Sequence, residues 1–413
     1  MSTPQLDRHA LVNWRNAIIT AFALGGVASA AFGARLPSIQ ADLGVSKGTL
    51  GTMLIGTTVG ALAGLASSAW IHRTFGARTG IRTSLFIVAA GVALIGLGAG
   101  ALHSPVMVIL ALALTGYGIG SLDVMINVEG SMVERQFRKT LMPLMHAAWS
   151  AGVIVGAGIG AGSAALGLPV EYQLPLQGAL VAAGGWVLSW GVPSHEAPET
   201  PAEKVTWGER ARGILASVKD VRLVLIGLVM LGSELGEGSA NNWLTLAVRT
   251  EHLQPEAIAG LFLVLFAASE TLARALGGPV VDRIGRARAV RVTSVLGLAG
   301  IALFILTDHW LLVAVGVLLW AFGVSMGFPL GMSAAADSGP NPAARVSFVA
   351  VIGYAANLTG PPAIGNLADH VGLLKALWVI AALFAVAVLC ASAVRKEPEP
   401  VHPADDQFRL AAS

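Results

Sequence analysis

The chain has 413 residues, of which 55% are hydrophobic and 12% charged, with a formal net charge of +2. An ordinary soluble domain carries about 25% charged residues, so most of this chain's surface calls for lipid as its solvent. The small net charge, with basic residues scattered in short clusters, argues against a nucleic-acid partner, and the lone Cys390 excludes an internal disulfide or a cysteine-based metal site.

At the N-terminus, Arg8 and Arg15 precede "AIITAFALGGVASAAFGA", which has the outline of a signal peptide. The apolar run is long for one and is followed by many similar runs, so a retained first helix is expected. Apolar stretches of about 20 residues predict twelve spans, at 13–36, 50–71, 81–102, 106–132, 141–166, 174–192, 222–247, 257–278, 288–306, 310–334, 345–367 and 373–394. The tenth and eleventh are interrupted by Gly and Pro. With the first loop placed outside, only Lys47, Arg249 and Lys375 of the 26 Lys and Arg fall outside, while Arg35 and Arg274 lie at or in the membrane. By the positive-inside rule both termini are then cytoplasmic.

The longest polar stretch, 193–221, separates two sets of six spans. It divides the chain into an N-terminal six-helix bundle (1–192), a cytoplasmic linker (193–221), a C-terminal six-helix bundle (222–396) and a cytoplasmic tail (397–413). The halves echo each other in "FGARTGIRTS" and "IGRARAVRVTS": setting Gly76 on Gly285 also sets Gly51 on Gly260 and Arg82 on Arg291. Parallel six-helix repeats recur among secondary transporters, which bind substrate between the halves near the midplane. One chain supplies both halves, which fits a monomer.

Ionisable residues inside spans are costly and are functional candidates by default. Arg35, just before Pro37, is placed to snorkel to the headgroups or to bind substrate. In span four, Asp123 and Asn127 stand at i and i+4 on the face of Gly116 and Gly120, where small residues let a partner approach. Glu129 is off that stripe and is expected to be solvated or paired with a loop arginine. Span five opens with His146, Trp149 and Ser150, and continues with Gly152, Gly156 and Gly160 as a helix-packing face. In span seven, Glu237 and Asn241 share a face with Glu234 nearby. Two carboxylates so close in a low dielectric repel, and a proton held between them is what a proton-coupling residue requires. Trp243 is expected near the outer end, as an interface anchor or a ligand platform. Glu270 and Arg274, at i and i+4, are spaced to pair. Tyr354, Asn357 and "GPPAIG" make span eleven breakable.

Five acids (Asp123, Glu129, Glu234, Glu237, Glu270) against Arg35 and Arg274 predict a neutral to acidic cavity. That favours a neutral polar or a cationic solute, moved by uptake or by efflux, with protons as the coupling ion. Glu237, Asp123, Glu234 and Glu270 are the proton-coupling candidates. Asn127, Asn241, Asn242, Trp243, His146, Trp149, Arg35, Arg274, Tyr354 and Asn357 are the substrate-binding ones. No phosphate-binding loop, paired-histidine metal motif or nucleophile elbow occurs, so no ATP site, metal, cofactor or catalytic residue is expected. A membrane enzyme and a transporter-like receptor are the remote alternatives.

Residues 278–288, "GPVVDRIGRAR", resemble the loop signature of the major facilitator superfamily. The resemblance implies a gate latch formed by Gly278, Asp282, Arg283, Gly285 and Arg286. In the first-half copy, "SAWIHRTFGAR", Arg73 stands at the Asp position. The stretches "ARLPSIQADLG", "LDVMINVEG", "HAAWSAG", "EGSANNW" and "GYAANLTGPPAIG" resemble a bacterial inner-membrane branch near the sugar permeases related to fucose transport. That branch usually has Asp where this chain has Asn242. The resemblance implies an all-α fold of two pseudo-symmetric six-helix bundles.

Overall fold

The computed structural model describes residues 8–137, 141–193, 219–339 and 342–395. Most of the expected linker (194–218), the expected tail (397–413), and Arg138 and Lys139 of a basic loop lie outside them. The described chain is helical throughout, with α1 Arg8–Ser29, α2 Leu36–Leu43, α3 Lys47–Gly96, α4 Pro105–Phe137, α5 Met142–Ala165 and α6 Val170–Ser189. Beyond the linker come α7 Val221–Thr250, α8 Glu256–Ile284, α9 Arg286–Leu306, α10 Trp310–Val324, α11 Gly327–Asp337, α12 Pro342–Val371, α13 Leu373–Ala376 and α14 Trp378–Cys390. Among the described residues nine helical stretches are long and apolar enough to cross a membrane. Helices α6 and α12, which carry spans six and eleven, are not among the nine.

Spans two and three form one helical run, α3, interrupted at a single residue. Gly76 has φ 73° and ψ 168°, a backbone region that a side chain would strain. The chain reverses there, because Gly60 and Gly91, on either side of Gly76, both abut α4 at Ala111 to Thr115. Gly285 repeats the device between α8 and α9 with φ 81° and ψ 155°. The two glycines that the sequence sets in register thus share one unusual conformation.

Span ten is broken as expected, into α10 and α11. Pro329 has no N–H to offer Ser325 O four residues earlier, and Arg274 Nε approaches that carbonyl at 3.5 Å instead. Span eleven departs from expectation: α12 is continuous through Pro361 and Pro362, and a neighbouring helix supplies a donor to Asn357 O, the carbonyl that Pro361 leaves free. The small-residue stripe of α5 packs on α1. A Cβ at Gly152 would lie 2.0 Å from Ala23 O, and one at Gly156 would lie 2.4 Å from Val27 O.

Helices before the linker pack chiefly on one another, as do those after it, and the two groups meet along α3 with α12 and α5 with α8. At one end of these seams polar links cross from group to group. Arg35 Nε pairs with Glu256 at 3.2 Å and Lys47 Nζ with Glu251 at 2.6 Å. Ser46 Oγ and Gly48 N both donate to Asp369, at 2.7 and 2.9 Å. Beside this end, burial against Phe304 pushes the His252 imidazole below its ordinary pKa. At the other end the polar ties among the described residues stay within one group or the other. Asp220 caps α7 through Leu223 N at 3.1 Å, and the Arg345 guanidinium beside it holds its carboxyl below the usual range.

Candidate functional site: a carboxylate-lined cavity between the helix groups

Three adjoining cavities, of about 330, 600 and 710 Å³, lie between the two groups and share Arg274 on their walls. From the first group come Phe22 on α1, Asp123 on α4, and His146, Trp149 and Ser150 on α5. The second group contributes Glu234, Glu237, Asn241 and Asn242 on α7 and Glu270, Thr271 and Arg274 on α8. The largest cavity runs from Glu234 and Glu237 to Gly278 and Asp282, beside the α8–α9 turn. It therefore reaches toward the end where the described residues make no such crossing link.

Arg274 organises the charge. Its Nη2 lies 2.7 Å from Glu237 Oε2 on the facing helix and 2.6 Å from Glu270 Oε1 one turn earlier. One guanidinium thus serves two carboxylates, which lowers the cost of holding them in the bundle. The i, i+4 spacing announced the pair with Glu270. Nothing in the sequence announced the pair with Glu237, which depends on how α7 and α8 are rotated against each other. Among the described residues Glu234 has no ion partner at hydrogen-bond distance; it accepts from Asn357 Nδ2 of α12 at 3.0 Å. Across the cavity, Asn127 Nδ2 donates to Asp123 Oδ1 at 3.1 Å, so the i, i+4 pair on α4 is formed. Asn242 Nδ2 is turned back to Gly238 O at 2.7 Å, while its residue still lines the smallest cavity.

Four sequence-based placements need correction. Arg35 neither snorkels nor faces the cavities: it is 3% exposed and is held by Glu256 and by Leu168 O at 3.0 Å. Trp243 is wholly buried. Its ring packs beside Gly51 and Gly365 in the α3–α12 seam, so it is neither a lipid-interface anchor nor a wall of these cavities. Glu129 is wholly buried rather than solvated; it accepts from Trp14 Nε1 at 3.0 Å and lies 3.2 Å from His72 Nε2, while Arg138 and Lys139 of the nearby basic loop lie outside the described residues. Tyr354 is half exposed and lines none of the three cavities. In each case helical periodicity sets a face but not what that face meets. Of the expected latch, Gly278 and Asp282 line the cavity mouth, Gly285 makes the turn, and Arg283 is exposed at the end of α8. Arg286 bridges to α11 through Asp337 at 2.6 Å. Phe22 and Thr271 were missed, being ordinary helix residues with no signal of their own. Among the described residues no cluster of His, Cys, Asp and Glu has the makings of a metal site.

A bundle of apolar helices around a charged cavity is the layout of a multi-pass membrane protein, and comparison with known proteins points to transporters. The Major Facilitator Superfamily model matches residues 226–412. An uncharacterised transporter of Sinorhizobium fredii is 28% identical over 400 residues, covering 94% of this chain and 100% of its own. An uncharacterised transporter of the same superfamily type from Yersinia pestis is 26% identical, covering 91% and 94% respectively. Among solved structures, the nucleoside transporter NupG superposes with a TM-score of 0.72 at 16% identity, over 94% of this chain and 100% of its own. The D-xylose-proton symporter gives 0.67 at 16% identity, over 94% and 98%. The family match over the second group, and the matches to transporters over nearly the whole chain, support reading it as a multi-pass membrane transporter of the major facilitator type.

Proposed function

We propose that this protein is a secondary active transporter that moves a small polar or cationic solute by alternating access and couples that movement to protons. The halves that rock are residues 1–192 and 222–396, with twelve crossings and both termini in the cytoplasm, in a bacterial inner membrane. The observation that carries the reading is the convergence of Asp123 and His146 from one half with Glu234, Glu237, Glu270 and Arg274 from the other on shared cavities.

Glu237 and Glu270 compete for Arg274, so a proton arriving on either one frees the guanidinium for the other or for solute. That exchange is the chemistry a coupled carrier needs, because a charge taken up at one side must be neutralised before the cavity closes. Asp123 with Asn127, and Asn241 across from them, offer acceptors and donors for hydroxyl or ammonium groups, and Trp149 offers an aromatic face. The crossing ion pairs at the Arg35 and Lys47 end, with the cavity reaching Asp282, correspond to an inward-open state. Two of the solved relatives are named as proton symporters, for xylose and for fucose, which supports the coupling ion proposed here.

The experiment that tests the substrate class is a thermal-shift screen of the purified full chain against sugars, nucleosides, amines and antibiotics. A ligand that binds only the folded state raises the melting temperature. A polar or cationic solute is expected to do so in the parent and to lose its effect in Asp123→Asn. A screen in which only apolar or anionic compounds stabilise would contradict this class.

A further inference from the structure

Pro361 has no N–H, so the carbonyl of Asn357, four residues earlier in α12, has no donor in its own helix. A donor arrives from the other half: Thr58 Oγ1 of α3 lies 3.2 Å from Asn357 O. The side-chain amide of the same Asn357 donates to Glu234 Oε2 at 3.0 Å and to Gly353 O at 3.2 Å. Thr58 thus reaches Glu234 through a single residue.

The contact has a place in a ladder. Along the α3–α12 seam, Gly48 N holds Asp369 at 2.9 Å, and a Cβ on Gly51 would lie 2.4 Å from Pro361 O. The Thr58 contact comes last, beside the cavity. Any separation of the halves along this seam has to break these contacts.

We propose that Thr58 is a positioning residue for proton coupling: by anchoring the proline-freed carbonyl of Asn357 from the opposite half, it ties the amide on Glu234 to the closure of the α3–α12 seam. This rests on Glu234 being a proton-coupling group. An amide N–H on a carboxylate favours the ionised form, so a closed seam and an ionised Glu234 support each other, and a proton on Glu234 loosens the seam. The other charged groups around Glu234 are Glu237 on α7, Glu270 and Arg274 on α8, His146 on α5, and Asp282 at the mouth of the same cavity. None of them contacts Thr58, so substitution at Thr58 leaves their pairings in place.

The test needs no substrate. Nitroxides at Leu166→Cys and Leu306→Cys, positions 86% and 73% exposed at the closed end, report the distance between halves by dipolar EPR in a Cys390→Ala background in lipid. In the parent chain the open fraction at this end is expected to rise as pH falls. Thr58→Val should raise the midpoint by about half to one pH unit, a roughly three- to tenfold change in the open-to-closed ratio and the scale of one hydrogen bond. Thr58→Ser, which keeps the hydroxyl, should match the parent, and Thr58→Ala should repeat the valine result should valine fold poorly. A flat pH response in the parent, or a parental response in Glu234→Gln, would remove Glu234 as the coupling group and the proposal with it. A parental midpoint in Thr58→Val or Thr58→Ala, with the response abolished in Glu234→Gln, would overturn the role of Thr58 alone.

Discussion

Arg274→Gln is expected to destabilise the protein and abolish transport, and adding Glu270→Gln is expected to restore stability without restoring transport. Glu270 is 8% exposed, and Arg274 lies within 2.7 Å of both it and Glu237. Removing the guanidinium strands two carboxylates, and breaking a buried pair from one side typically costs about 3–5 kcal/mol. Because 42% of the Arg274 side chain faces the open cavity, the loss should fall at or below the low end of that range. Melting temperatures of both single variants and the double variant in detergent form a double-mutant cycle. A coupling of about 1 kcal/mol or more is expected for groups in direct contact. Strict additivity would mean that the pair does not act as a unit.

The second large effect is expected at Gly51→Leu. A Cβ there would lie 2.4 Å from Pro361 O and 3.1 Å from the Trp243 ring, so backbone blocks one side and a buried indole the other. Overpacking at rigid sites costs about 1–3 kcal/mol or more, and the strain acts where α3 meets α12 and the Trp243 ring. The variant should either fail to accumulate as folded protein or hold the Arg35 end apart in the EPR measurement at every pH. Gly162→Leu is the control, since a Cβ there meets nothing within 4 Å, and it should behave as the parent. Gly51→Leu protein that is folded and closes normally would contradict the tight seam.

Much of this architecture was legible in the residues. Apolar runs marked the spans, and the alignment of Gly76 with Gly285 anticipated two turns that share a left-handed backbone. The i, i+4 spacings of Asp123 with Asn127 and of Glu270 with Arg274 became real contacts. What stayed illegible was everything that depends on the rotation of one helix against another. Arg35 found Glu256 some 221 residues away, Trp243 turned into a seam between halves, and Glu129 met Trp14 and His72 on two other helices. Proline placement misled in one case. Span eleven carries two prolines and stays continuous, because a neighbouring helix takes up a freed carbonyl, and no local pattern reports a neighbour.

The pairing of Glu237 and Glu270 with one guanidinium, on the wall of a cavity between the helix groups, is the feature on which the proposed coupling of protons to solute rests. The most direct measurement is flux of a ligand found by thermal shift, in liposomes holding the purified chain, with and without an imposed pH gradient. The gradient should change the rate severalfold in the parent, and Glu237→Gln should lose that response. Flux that ignores the gradient, or a Glu237→Gln variant that transports and responds as the parent does, would contradict it.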